Sequence, residues 1–159
     1  MASWWSIAGV LAFFFVAGGC ADSSMSESET AQQFFRAVYG CTGEPLDSLA
    51  SAEVRMSYPI FAERLGTPVL VGRDAVVQFS AGFCQRWRDP EVVVHEVVSD
   101  EGRVVLVWSY SALSEPTPAS PPTRASWGGI SVFEFDALGR VVAEYGEEST
   151  PGPVARMGR

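Results

Sequence analysis

The sequence contains no lysine and no asparagine, and its 159 residues include only three isoleucines, three cysteines and one histidine. With lysine absent, all 11 basic residues are arginines; they face 19 acidic ones, the formal net charge is -8, and no run of basic residues occurs. Such a chain lacks the cationic footprint that a phosphate backbone demands, so no nucleic-acid partner is expected. Cysteine and histidine are too few and too scattered for a zinc motif, and no glycine-rich phosphate loop is present. No metal, nucleotide or flavin is therefore implied, and no cofactor is assigned. The length leaves no room for a second full domain. Disorder is excluded as well, because 47% apolar and 12% aromatic residues supply surface enough to offset the entropy of folding. Abundant Val, Ala and Gly beside missing Lys reflects GC-rich coding, which weakens any claim that a guanidinium fork was selected at a given arginine.

Charge is also missing from residues 1–21, where IAGVLAFFFV (7–16) forms a continuous apolar core followed by Ala17-Gly18-Gly19-Cys20. The pattern is that of an export signal. It resembles a bacterial lipobox, which implies lipidation of Cys20 and an extracytoplasmic, membrane-anchored protein. The departures are an n-region without Lys or Arg and Ala17 where Leu or Val is usual; an uncleaved anchor or ordinary signal is the alternative. Residues 1–20 are accordingly set aside as signal, 21–29 as a polar tether, 30–150 as the domain and 151–159 as a flexible tail. Cys41 and Cys84 remain, facing an oxidising compartment; a disulfide is open, with two buried free thiols the preferred reading.

Ser26 and Glu29 have capping-box spacing, and Ala31, Phe34, Phe35 and Val38 recur on one helical face, predicting a first helix ending near Gly40. Leu46, Leu49 and Ala50 suggest a short second helix. Val54, Met56 and Tyr58 alternate as a strand stopped by Pro59, and Ala75, Val76, Phe79 and Phe83 fit a third helix, with Arg73-Asp74 as a capping feature or, alternatively, Arg73 as an anion clamp. Four strands come after it, at 91–99, 103–113, 126–136 and 141–147. The loop SEPTPASPPTRAS reads as a solvated connection, with a pocket lid as alternative. Helices followed by an antiparallel meander define an α+β fold, three N-terminal helices packed on a curved antiparallel sheet. The runs EVVVHEVV and VVLVW are apolar on both faces, so a partner subunit is expected against the outer one.

The strings AQQFFRAVYG, SYPIFAERLGTPVLVGRDAVVQF and GGISVFEFDALGRVVAEYGEE, in this order, resemble the nuclear-transport-factor-2-like (NTF2-like) superfamily, in particular its SnoaL-like and ketosteroid-isomerase-like branches. The resemblance implies a cone-shaped α+β domain, an apolar pocket between helices and sheet, and a homodimer. It also implies where proton-transfer groups would sit. The isomerase base would fall at Tyr58, the helix-one Tyr at Phe35 and the strand Asp at Ser131, and counting along the last strand to the SnoaL-like Asp reaches Ser149. Neither constellation is intact, so neither proton-transfer mechanism is expected.

Strand parity places Met56, Tyr58, Trp127, Gly129, Ser131, Phe133 and Phe135 inward, and the resemblance adds Leu106, Trp108 and Tyr110. The expected ligand-binding set is Phe35, Met56, Tyr58, Trp108, Tyr110, Trp127, Ser131 and Phe133, an aromatic lining suited to a mostly apolar small molecule; plain core packing is the competing reading. No catalytic residue is assigned. Tyr58 and His95 are candidates, with Glu53 and Glu96 as further bases; His95, sharing a face with Val93 and Val97, reads first as a hydrogen-bonded or interface residue. Glu144, Glu147 and Glu148 read as solvated. Three functions compete: a membrane-tethered binding module, a SnoaL-like isomerase, cyclase or hydratase with a non-standard base, and a protein acting through its sheet face.

Overall fold

Ser26 opens α1 (Glu27–Tyr39) with a complete capping box: the Glu29 backbone N–H donates to Ser26 Oγ at 3.2 Å and the Ser26 N–H donates to Glu29 Oε2 at 2.9 Å. The apolar stripe beyond it is buried from Ala31 to Tyr39, with Phe34 and Phe35 essentially sealed from solvent; each such side chain contributes roughly 1.5–3 kcal/mol on burial. The computed structural model describes residues 25–118 and 120–158. The signal segment, Cys20 and residues 21–24 of the expected tether lie outside the described residues, and Ser26 to Glu29 of that tether form the cap and first turn of α1.

After α1 come β1 (Ala50–Ser57), α2 (Pro59–Leu65), β2 (Val69–Val71), α3 (Arg73–Cys84), β3 (Trp87–Asp100), β4 (Arg103–Ser114), β5 (Arg124–Phe135), β6 (Val141–Ser149) and α4 (Pro153–Arg156). The strands form one curved sheet in the order β2-β1-β6-β5-β4-β3, antiparallel throughout except that β1 runs parallel to β6. The helices α1 and α3 cover one face, and an aromatic-rich core lies between. The architecture is the expected α+β cone.

Four local readings need correction. No helix forms at 46–50: Leu49 and Ala50 donate to Leu46 O in a single turn, and Ala50 is then drawn into the sheet beside Val141. The second helix is instead α2, which Pro59 opens just past the strand it was expected to stop, since its fixed φ and missing N–H suit the first helical position. Gly66, at φ 72°, ends it. Arg73 neither caps α3 nor points at a pocket; it pairs with Asp47 at 2.9 Å and donates to Ala50 O, pinning the turn before β1. The segment expected as a flexible tail carries the helical turn α4, packed on β4 and β5.

Cys41 and Cys84 are joined in a disulfide with their Cα atoms 5.6 Å apart, which corrects the preference for free thiols. It ties the chain just beyond α1 to the last residue of α3. Their partnership was not legible because it depends on how those two helix ends meet in space.

Candidate functional site

A cavity of about 690 Å³ lies between the helices and the sheet. Phe35 and Tyr39 of α1, Phe79 and Phe83 of α3, Trp108 and Tyr110 of β4, Trp87 and Trp127 form its aromatic walls. These rings also pack on one another: Tyr110 and Trp127 centroids are 4.4 Å apart, Phe35 and Trp108 5.1 Å, Trp87 and Trp127 5.2 Å. Ring-on-ring support holds the wall in shape without filling the space. Gly129 is part of that arrangement, because a Cβ there would run into the Trp108 indole.

Of the expected ligand-binding set, Phe35, Trp108, Tyr110 and Trp127 line the cavity, whereas Met56, Tyr58, Ser131 and Phe133 are buried beneath it. His95, Glu53 and Glu96 are all exposed and away from the cavity. His95 hydrogen-bonds Ser109 Oγ at 2.8 Å on the outer face of the sheet. A β-bulge between Val94 and Glu96 overturns the expected His95 face: Val93 pairs with Ser109 but Val97 pairs with Leu106, so the two valines face opposite ways. The Pro-rich loop after β4 is exposed at all its described residues, and it is the start of β5, Arg124 to Trp127, that lines the cavity.

The largest departure from expectation is Glu144, which is fully buried rather than solvated. The turn closed by Asp136 and Arg140 places Phe135 opposite Val141, and regular pairing from there would put Ala143 opposite Phe133. Instead the ladder skips Val142, so Ala143 meets Glu134 and Glu144 meets Phe133 on the inner face. One bulged residue thus turns the carboxyl inward and Tyr145 outward.

Tyr58 O–H donates to Glu144 Oε1 at 2.5 Å and stands 2.8 Å from Ser131 Oγ, which accepts from Trp108 Nε1–H at 3.0 Å. Gly146, beside Ser131 in the ladder, leaves the space that the Tyr58 ring occupies; a Cβ there would overlap the ring. Burial pushes the Glu144 carboxyl up to about 7, against the hydrogen bonds from Tyr58 and Ser131 that favour its ionised form. The Tyr58 hydroxyl is driven far above its ordinary value, by burial first and by the neighbouring Glu144 charge second. Glu144 Oε2 has no hydrogen-bond partner among the described residues. The carboxyl is missing at the family positions, yet β6 supplies one to the same tyrosine. Chemically it is a proton donor and acceptor matched to neutral pH, separated from the cavity by residues of its wall, Trp108 and Tyr39.

Glu148, two residues beyond Gly146, lines the cavity itself, and partial burial raises its carboxyl while Trp127 and Arg64 oppose the shift. Glu147 and Glu148 are both exposed, as read from the sequence, Glu148 at the cavity's open side. Among the described residues no group of His, Cys, Asp and Glu could hold a metal ion, and no helix is long and apolar enough to cross a membrane.

The family model of the SnoaL-like domain matches residues 31–144. No curated protein matches the chain in sequence. Among solved structures, an NTF2-like protein of unknown function from Burkholderia pseudomallei is 18% identical, with 84% of this chain and 95% of that one covered at a TM-score of 0.61. A protein from Jannaschia sp., provisionally named a SnoaL-like polyketide cyclase, is 18% identical over 82% of this chain and 88% of its own, at a TM-score of 0.63. An LEH-like epoxide hydrolase from M. tuberculosis is 16% identical over 78% and 83%, at a TM-score of 0.59. Identities this low establish the fold alone.

Proposed function

Because the chain belongs to the SnoaL-like domain family, whose model covers most of its length, we propose that it binds a mostly apolar, ring-bearing small molecule in the aromatic cavity. The observation carrying this reading is a cavity of about 690 Å³ that the aromatic residues frame rather than fill. Trp87, Trp108 and Trp127 all border it, so intrinsic fluorescence reports on any occupant. Titration with steroids and polyketide-like aromatics should give saturable quenching that is reduced in Trp108→Phe. Absence of any response across such a panel would overturn the reading and favour function through the sheet face.

A second reading, an isomerase, cyclase or hydratase, is favoured by the hydrogen-bonded Glu144 and Tyr58. A carboxyl near 7 is poised to shuttle a proton at neutral pH, which is worth roughly 10²–10⁴ in rate when the geometry is right. Its obstacle is the wall between Glu144 and the cavity. Loss of turnover in Glu144→Gln with ligand affinity kept would establish the enzyme; binding without turnover in the parent protein leaves the binding module.

The proposed setting is extracytoplasmic, with Cys20 lipidated and the membrane reached through that lipid or an uncleaved anchor. The Cys41–Cys84 disulfide supports an oxidising compartment. We also propose a homodimer through the outer sheet face.

A further inference from the structure

The cavity is apolar in its walls but not at its edge. Three arginines line it, Arg64 of α2, Arg86 after α3 and Arg124 at the start of β5, against a single carboxylate, Glu148. None of the three arginines belongs to an ion pair within 4.0 Å among the described residues; Arg124 donates only to Ser111 Oγ at 3.3 Å, and Arg64 feels Glu148 at longer range. They are therefore available cations on a protein whose formal net charge is -8. Screening over about 8 Å at physiological ionic strength makes the nearest charges decide what enters, so the edge of the cavity attracts anions although the whole molecule repels them.

A second observation comes from inside. Tyr110 is 2% exposed, lines the cavity, and its hydroxyl has no hydrogen-bond partner among the described residues. A buried O–H left without an acceptor is costly, and a ligand oxygen placed against it recovers that cost. Attraction of an anion needs only positive charge at the edge, not a guanidinium fork, so the codon bias that makes every basic residue an arginine leaves it untouched.

We infer that the molecule this cavity accommodates is an organic anion: a ring-bearing apolar body with a carboxylate, sulfonate or phenolate directed to Arg64, Arg86 and Arg124 and an oxygen within reach of the Tyr110 hydroxyl. The inference deepens the proposed binding function and rests on it. Charge at the edge selects among apolar ligands that the aromatic walls alone accept indiscriminately.

The test pairs two fluorescent probes of one scaffold, anilinonaphthalene sulfonate and its uncharged parent phenylnaphthylamine, titrated into the full chain, with energy transfer from tryptophan locating the bound probe. The sulfonate is expected to bind at least about tenfold more tightly, equivalent to about 1.4 kcal/mol. Raising the salt concentration should weaken the sulfonate alone. The triple variant Arg64→Gln, Arg86→Gln, Arg124→Gln should erase the preference and leave phenylnaphthylamine affinity as it was. Near-UV circular dichroism checks its fold, and Arg124→Gln alone should shift the sulfonate in the same direction. Equal affinity for the two probes, or equal weakening of both in the variants, overturns the anion inference while leaving the cavity a binding site. Failure of both probes to bind overturns the binding reading itself, and the anion inference with it.

Discussion

Glu144 shows how one side chain can contradict its own composition class. A glutamate on a hairpin strand is ordinarily solvated, yet this one sits on the inner face against Tyr58 and Ser131. Its folded-state value of about 7 lies above the ordinary 4.5, so between those values the folded chain keeps a proton that the unfolded chain releases. Stability from this group is therefore complete below about pH 4.5 and declines as pH rises toward about 7, by on the order of 3 kcal/mol. Glu144→Gln keeps an acceptor for Tyr58 and removes the charge. The variant should match the parent in urea unfolding at about pH 4.5 and exceed it by about 1–3 kcal/mol at about pH 8, with the difference opening between them. An unchanged pH slope would show that Glu144 is not buried as a titrating acid.

At the level of elements, two bulges and one disulfide decide what the strands and helices present. The bulge at Val142 sets the inner face of β6, and the one at His95 sends that residue outward to Ser109. The disulfide joins Cys41 to Cys84 across 43 residues, and the loop-closure entropy it removes from the unfolded chain is about 4 kcal/mol. Its position matters for the site too, since Tyr39 and Phe83, next to the linked segments, meet edge to face at 5.5 Å in the cavity wall. Replacing both cysteines by alanine should lower unfolding free energy by about 2–4 kcal/mol and weaken probe binding as the two helix ends separate. Unfolding midpoints that agree with and without reductant would mean the bridge contributes nothing.

For the molecule as a whole, α4 covers part of the outer sheet face beside Gly128, and the rest of that face carries exposed apolar side chains. Cross-strand partners place Val98, Val105, Val132 and Tyr145 in one row and Val107 with Ile130 in the next, and Val98 is 58%, Tyr145 47% and Ile130 39% exposed. Such a row is the surface on which the proposed homodimer would close, each copy burying the other's valines. Sedimentation at micromolar concentration should give a dimer for the parent and a monomer for Ile130→Arg, with cavity binding retained. A parent that sediments as a monomer removes the dimer from the proposal.

Local signals in the sequence determined the capping box of α1, the apolar periodicity of α1 and α3, the alternation of β4 and β5, and so the α+β class; of the aromatic wall, Phe35, Trp108, Tyr110 and Trp127 were expected, with the help of the family resemblance, whereas Tyr39, Phe79, Phe83 and Trp87 were not. Each of those local signals depends on neighbours a few positions apart, where period and propensity speak directly. The same locality explains the errors: at 46–50 a helical spacing yielded to strand pairing with β6, a competition no short window contains. Which face Glu144 and His95 occupy depended on single bulged residues, and which cysteine Cys41 meets depended on the docking of two helices. Only the tertiary structure decided those, because a one-residue shift in register reverses a strand's faces while leaving its composition unchanged.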